Sequence, residues 1–237
     1  MSLPSDKLVA QTLLIDADDT LWENNIYFER AIAQFISFLD HQEHSPEQVR
    51  CVLNDVERDC IVRHGYGLHS FRHALADTFE RLAVEPISAA VHETILGFAN
   101  IIAEHPMELM HDVPGTLEYL SGRHRLILMT KGAVPEQSGK VERSGLAKYF
   151  EAVEIVPEKD ADTYRCITAK YSLAPQTTWM IGNSPRSDIN PSLEADLNAV
   201  FVPHDSTWIL EHEEVSAPRP NRQLLVFDKF STLRSHF

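Results

Sequence analysis

Several features that would assign this chain to a protein class are scarce or missing. Only three of its 237 residues are cysteines (Cys51, Cys60 and Cys166), and they form no CxxC pair. So small and odd a number argues against a disulfide framework or a structural zinc site, and it fits a reducing compartment. A signal peptide and an apolar run of membrane-spanning length are also missing. We therefore expect a soluble cytoplasmic protein without membrane contact.

Positive charge is scarce as well. The chain has 21 Lys and Arg residues against 35 Asp and Glu residues, which leaves a formal net charge of −14. Such a chain repels phosphate backbones, so we expect no nucleic-acid partner. A small anionic substrate is still compatible with this charge, because local cations or a bound metal ion override the overall field. The twelve histidines contain no HExxH motif, which argues against a zinc protease.

Short apolar segments alternate with helical patterns over much of the chain. The clearest apolar segments cover residues 13–15, 125–130, 152–156 and 178–182, with two shorter ones near 199–202 and 224–227. Between about residues 24 and 106 the pattern is almost wholly helical and predicts a bundle of four helices. We predict an α/β protein with a Rossmann-like parallel sheet. Its core domain covers residues 1–22 and 107–237, and a helical domain at 23–106 is inserted after the first strand.

Polar side chains follow four of the predicted strands. Three carboxylates, Asp16, Asp18 and Asp19, lie within four residues after the first strand, and Thr20 comes next. Carboxylates at this density require a cation or a proton to compensate them. Polar residues also end or follow the other three strands: Thr130, Lys159, Asn183 and Asp188. Because ligands bind at the carboxyl ends of parallel strands, all of these residues are expected at one edge of the sheet.

Taken singly, each of these residues has a purely structural explanation. Asp18, Asp19 or Asp188 can cap a following helix. Thr130 can be an ordinary threonine at a strand end, and Lys159 can be a solvated lysine in a charged run. The order of all the residues along the chain is therefore what supports a functional site.

That order resembles the haloacid dehalogenase-like (HAD) hydrolase superfamily. The segment Asp16-Ala17-Asp18-Asp19-Thr20 is similar to its motif I, DxDx(T/V). Thr130 matches motif II and Lys159 matches motif III. Residues 182–188 resemble motif IV in its GDxxxxD form, and the helical insert resembles a C1 cap. The resemblance covers nearly the whole chain.

The resemblance implies a catalytic set. Asp16 would be the nucleophile that forms an aspartyl phosphate. Asp18 would protonate the leaving oxygen and later deprotonate water, for which it must hold a proton in the first step. Thr130 and Lys159 would hold the phosphoryl oxygens. The predicted substrate-binding residues are Thr20, Asn24, Thr130, Lys131 and Lys159.

The resemblance also implies Mg²⁺ as the cofactor. Its ligands would be Asp16, the backbone carbonyl of Asp18, Asp188 and Asn183. Asn183 departs from the family pattern, which has an aspartate at this position. An amide oxygen binds Mg²⁺ without adding charge, so we expect weaker metal binding or compensation from Asp19.

We therefore expect a Mg²⁺-dependent phosphomonoester hydrolase whose cap closes over a small phosphorylated metabolite. A 2-haloacid dehalogenase and a phosphomutase of the same fold are alternatives, as is a degenerate binding protein. Asp18 argues against the dehalogenase, since the resemblance implies no acid at that position in dehalogenases. The oligomeric state, monomer or homodimer, is open.

Overall fold

The computed structural model describes residues 7–8, 10–39, 44–83 and 88–237, and the chain divides into two compact units. Met1–Glu23 and Met107–Phe237 form the first, called the core unit, and Asn24–Pro106 form the second, called the helical unit. Within the described ranges, no helix combines the length and the apolar character needed to cross a membrane.

The core unit is built on a six-stranded sheet in the order β3-β2-β1-β4-β5-β6, in which every neighbouring pair is parallel. This confirms the predicted α/β fold with a parallel sheet. The strands are β1 (Thr12–Ile15), β2 (Arg125–Lys131), β3 (Ala152–Val156), β4 (Thr178–Gly182), β5 (Asn198–Phe201) and β6 (Leu224–Val226). Because β1 lies between β2 and β4, the carboxyl ends of these three strands are adjacent.

The inner strands β1, β2 and β4 are buried on both faces of the sheet, which explains why their central residues are apolar rather than alternating. On one face Leu13 and Ile15 belong to a cluster with Leu128 and Ile181. On the other face Leu14 belongs to a second cluster that includes Tyr164. The helices of the core unit are α6 (Val113–Ser121), α7 (Val134–Ser144), α8 (Ala161–Lys170) and α9 (Asn190–Glu194), and one turn of π-helix at Pro185–Ile189 precedes α9.

The helical unit has its own apolar core, which includes Phe35, Leu53 and Leu75. Its helices are α1 (Asn25–Phe38), α2 (Pro46–His64), α3 (Leu68–Leu82), α4 (Ala89–Phe98) and α5 (Asn100–Glu104). The described residues thus show five helices where four were predicted, because the last one is interrupted at Ala99. Gly97, a poor helix former, lies just before this break.

Candidate active site

The loop after β1 presents Asp16 at the end of the strand. Thr20 returns toward it, and its hydroxyl lies 2.8 Å from Asp16 Oδ2 and 3.2 Å from Asn183 Oδ1, two acceptors that share one proton. The loop is tight because Asp19 has a left-handed backbone with φ of 60°, which aspartate tolerates better than most residues. The loop therefore places the carboxylate of Asp16 and the hydroxyl of Thr20 together at the edge of the sheet.

Lys159 joins Asp16 to Asp188. Its buried ammonium donates to Asp16 Oδ1 at 2.5 Å and to Asp188 Oδ1 at 2.8 Å. The π-helical turn brings Asp188 back over the end of β4, where its Oδ2 accepts the Ser184 N–H. A β-carbon at Gly182 would lie 2.2 Å from that oxygen, so only glycine permits this approach. Asp16 and Asp188, which are 143 and 29 positions from Lys159 in the sequence, therefore both bind its ammonium group.

The charges of this trio do not balance. Burial, reinforced by the charge of Asp188, raises the pKa of Asp16 from 3.8 to about 7 despite the contact with Lys159. Burial would lower the pKa of Lys159, but Asp16 and Asp188 outweigh it and raise the pKa well above its usual value. Two buried carboxylates therefore share one ammonium. A divalent cation would supply the missing positive charge, and the oxygens of Asp16, Asp188 and Asn183 are ligands that Mg²⁺ prefers.

Asp18 faces a different set of partners. Lys140 Nζ lies 2.9 and 3.1 Å from its two oxygens, and Gln137 Nε2 donates to it at 3.0 Å. The Trp22 indole N–H donates to Oδ1 at 2.7 Å. Burial alone would raise the pKa of Asp18, but the charge of Lys140 and these hydrogen bonds lower it. Asp18 is therefore held as a carboxylate, and not in the protonated form that the first step was expected to need.

Thr130 reaches the same cluster through Gln137. Its buried hydroxyl donates to Gln137 Oε1 at 3.2 Å, while the amide of that glutamine donates to Asp18. Gln137 and Lys140 lie three residues apart on α7 and therefore share one face of the helix. Helix α7 thus aligns the hydroxyl at the end of β2 with the carboxylate in the loop after β1.

Lys131, predicted to bind substrate, is engaged by acidic and polar neighbours. Its ammonium donates to Glu211 Oε1 at 2.6 Å and to Ser187 Oγ at 2.7 Å, with Glu158 at 3.6 Å. Glu211 Oε2 also accepts from the hydroxyls of Ser184 and Ser187, both at 2.5 Å. Burial alone would raise the pKa of Glu211, but Lys131 and these hydroxyls lower it. The network ties the end of β2 to the turn that carries Asp188.

Asn183 and Asn24 differ in their placement. Asn183 is buried after β4, and its amide donates to Thr207 Oγ1 at 3.0 Å, which leaves its oxygen directed toward Thr20. Asn24 belongs to the helical unit, where its carbonyl accepts the Tyr27 N–H at the start of α1. Its predicted role in substrate binding stays a prediction.

Asp19, expected to compensate for Asn183, lies in a further group with Glu23 and His204. Ligand atoms of these three residues lie within 4.8 Å of one another. His204 Nε2 is 3.3 Å from a Glu23 carboxylate oxygen, and Nδ1 is 3.9 Å from Asp19. The group can hold a cation, but it lacks the buried ammonium that marks the Asp16 cluster.

The structure brings most of the predicted residues into two groups and adds residues that the sequence had not indicated. Direct contacts connect Asp16, Thr20, Lys159, Asn183 and Asp188, while Gln137 connects Asp18 with Thr130. Gln137, Lys140 and Glu211 were not predicted. The only signal for the first two was a pair of long polar side chains on one face of α7, and Glu211 had none.

Comparisons with known proteins agree with this architecture. The family model of haloacid dehalogenase-like hydrolases matches residues 10–196. Human N-acylneuraminate-9-phosphatase is 26% identical and aligns with 89% of this chain and 88% of its own length. A haloacid dehalogenase-like hydrolase from Xanthomonas campestris superposes with a TM-score of 0.78 at 27% identity, covering 96% and 94% of the two chains. L-2-haloacid dehalogenase from Xanthobacter autotrophicus shares the fold with a TM-score of 0.61 at 16% identity, covering 95% and 97%. As its motifs predicted, the chain belongs to the haloacid dehalogenase-like hydrolase family.

Proposed function

We propose that the protein is a Mg²⁺-dependent phosphomonoester hydrolase that acts on a small phosphorylated metabolite through an aspartyl phosphate at Asp16. The observation that carries the proposal is the buried Asp16–Lys159–Asp188 trio, with contacts of 2.5 and 2.8 Å at the edge of the sheet. Membership of a hydrolase family and similarity to a protein named as a phosphatase support the same activity.

Asp16 acts as the nucleophile. Its carboxylate oxygen attacks phosphorus, the bond from phosphorus to the leaving oxygen breaks, and water later hydrolyses the aspartyl phosphate. Lys159 offsets the negative charge of Asp16 and of the transferring phosphoryl group. Bound Mg²⁺ would keep Asp16 ionised and stabilise the charge on the phosphoryl oxygens. Asp16, Asp188, Asn183 and the Asp18 carbonyl are the proposed ligands.

Asp18 exchanges protons in both steps. Its carboxylate, oriented by Gln137 and Lys140, is ready to accept a proton from the water that attacks the aspartyl phosphate. Donation to the leaving oxygen requires Asp18 to be protonated first, which the charge of Lys140 opposes.

The remaining proposed substrate contacts come from polar groups near Asp16. Thr130 and Thr20 offer hydroxyls beside the reacting centre, and Asn24 is proposed from its sequence position alone. Lys131 would attract the substrate phosphate less strongly than a lysine without acidic neighbours, because Glu211 lies 2.6 Å from its ammonium. The net charge of −14 and the three free thiols support a small-molecule substrate and a reducing compartment such as the cytoplasm.

A 2-haloacid dehalogenase is the second candidate, because proteins of that name share the fold. In that reaction the same aspartate attacks carbon. The carboxylate of Asp18 could serve as the acid–base group, and the oxygens of Asn183 and Asp188 could serve as metal ligands. Both favour phosphoryl transfer, because the dehalogenase reaction needs neither.

Activity of Asp16→Asn tests the proposal. Against an aryl phosphate, the variant should lose turnover by about 10³-fold or more, since it lacks the nucleophile. Asp228→Asn, which changes an exposed carboxylate after β6, is the matched control and should keep full activity. Wild-type activity should also stop in EDTA and return with Mg²⁺. EDTA-resistant release of halide from 2-chloropropionate, without phosphatase activity, would establish the dehalogenase instead.

Asn183→Asp tests the metal ligands. The added charge should tighten Mg²⁺ binding, measured as a lower Mg²⁺ concentration for half-maximal activity. An unchanged or higher requirement would show that residue 183 does not contact the metal. For the substrate, a panel of sugar phosphates, phosphoglycolate, nucleotides and N-acylneuraminate 9-phosphate should be compared by kcat/KM. The last compound is included because the human relative is named for it.

A further inference from the structure

Three histidines converge at one end of the α2–α3 hairpin, in the helical unit. His64 is the last residue of α2, and His69 and His73 lie in the first two turns of α3, after the Gly65–Gly67 turn. The ring centroids of His69 and His73 are 4.5 Å apart, those of His64 and His73 are 4.6 Å apart, and those of His64 and His69 are 6.0 Å apart. Three of the twelve histidines therefore form one group.

The two histidines of α3 have the spacing of metal ligands. Residues four apart on a helix lie on the same face, and a pair of histidines at this spacing is a known zinc-binding arrangement. The Nε2 atoms of His69 and His73 are 3.2 Å apart. Two nitrogens that bind one tetrahedral ion at about 2.0–2.1 Å are separated by about 3.3 Å, so one ion fits between them without rearrangement of the helix.

We propose that His64, His69 and His73 form a binding site for a borderline-soft divalent cation, best represented by Zn²⁺. Imidazole nitrogens favour Zn²⁺, Cu²⁺ and Ni²⁺ over Mg²⁺ and Ca²⁺, which prefer oxygen ligands. His69 and His73 would exchange the hydrogen bond between their Nε2 atoms for bonds to the ion, with a small rotation of the rings. His64 is exposed, and its side chain would have to rotate to bring a third nitrogen to the ion. Water completes the coordination.

This site would link two helices. His64 belongs to α2, whereas the other two ligands belong to α3, so the ion would connect the helices beside the glycine turn. Gly65 and Gly67 have φ of 76° and 124°, and beside this turn Arg63 of α2 already pairs with Asp77 of α3 at 3.0 Å. A bound ion would add a further connection and stabilise the hairpin more, the more tightly it binds. The proposal does not depend on the hydrolase activity proposed above.

Calorimetric titration of the whole protein with Zn²⁺ at pH 7.5 tests the site, because the neutral imidazole is the form that binds a metal ion. Excess Mg²⁺ is included to occupy the carboxylate cluster around Asp16. We expect one Zn²⁺ site, weakened about tenfold or more in His69→Gln and in His73→Gln. His64→Gln should weaken binding and also remove the increase in melting temperature that Zn²⁺ gives the wild type.

Two controls separate this site from others. His92→Gln changes a half-buried histidine elsewhere in the helical unit, and His204→Gln removes the imidazole beside Asp19 and Glu23. Both should bind Zn²⁺ like the wild type, and circular dichroism should show that every variant is folded. The proposal is overturned if His69→Gln and His73→Gln bind as tightly as the wild type. It is equally overturned if the binding is lost in His204→Gln instead.

Discussion

Replacing Asp16 with asparagine should change how the stability of the metal-free protein depends on pH. Burial of Asp16, together with the charge of Asp188, raises its pKa from 3.8 to about 7. In the unfolded chain this environment is lost, so Asp16 ionises near its ordinary pKa. Asparagine has nearly the same shape and does not ionise. The difference in stability between the two proteins therefore isolates the ionisation of Asp16.

The expected magnitude follows from the pKa difference. A carboxyl group with a raised pKa in the folded state contributes stability below pH 3.8, and this contribution is lost as the pH rises to about 7. Because one pKa unit corresponds to about 1.4 kcal/mol, the total loss is about 4 kcal/mol. About 3 kcal/mol of it falls between pH 5 and pH 8, which corresponds to roughly 6–12 °C in melting temperature for a unit of this size.

Thermal unfolding followed by circular dichroism in EDTA measures this effect. The melting temperature of Asp16→Asn minus that of the wild type should increase by roughly 6–12 °C from pH 5 to pH 8. Asp228→Asn, the exposed control, should show a constant difference from the wild type. At pH 8, Mg²⁺ should stabilise the wild type more than Asp16→Asn. A difference for Asp16→Asn that does not change with pH would refute the assigned effect of burial and Asp188.

Two further substitutions test the neighbouring ion pairs. Lys140→Met removes the charge that lowers the pKa of Asp18, so the acidic limb of the kcat/KM profile should move to higher pH; an unmoved limb would contradict this assignment. Glu211→Gln should reduce the free energy of unfolding at pH 7 by about 3 kcal/mol, measured by urea titration, because Lys131 loses its closest carboxylate. The pKa of Glu211 is lowered by folding, so this loss should shrink as the pH falls below 4.5. As a control, Glu213→Gln changes an exposed carboxylate and should change the free energy of unfolding by less than about 0.5 kcal/mol. An equal loss of stability in both variants would show that the ion pair with Lys131 is not the cause.

The fold could be predicted because the sequence contains continuous apolar segments. A parallel strand buried on both faces needs apolar side chains at every position, and such segments alternating with helical patterns imply this sheet. The helical unit was less predictable. The break at Ala99 separates α4 from α5 without proline at the junction, so periodicity alone predicted one helix where the structure has two.

Several residues of the candidate site could also be predicted, because they follow strands. Asp16, Lys159 and Asp188 come after β1, β3 and β4, and parallel strands bring such positions to one edge. The contacts at Lys159 agree with that reasoning. The catalytic and metal-binding roles of these residues stay predictions, which the variants above test.

The residues that contact the predicted site residues could not be predicted from the sequence. Lys140 contacts Asp18 because α7 packs beside the loop after β1, and Glu211 contacts Lys131 because the chain after β5 turns back toward β2. Single polar residues in a helix or loop have no periodic signal, and their direction depends on how the elements pack.

Local patterns along the chain were thus sufficient for the parallel sheet and for the order of the polar residues at its edge, because both depend on neighbouring residues and on the direction of the strands. The family followed from the resemblance of the motifs. The protonation of the site required the folded molecule. Whether Asp16 holds its proton up to about pH 7, and whether Asp18 remains a carboxylate, depends on burial and on charges from distant segments, since electrostatic energies are set by distances in space.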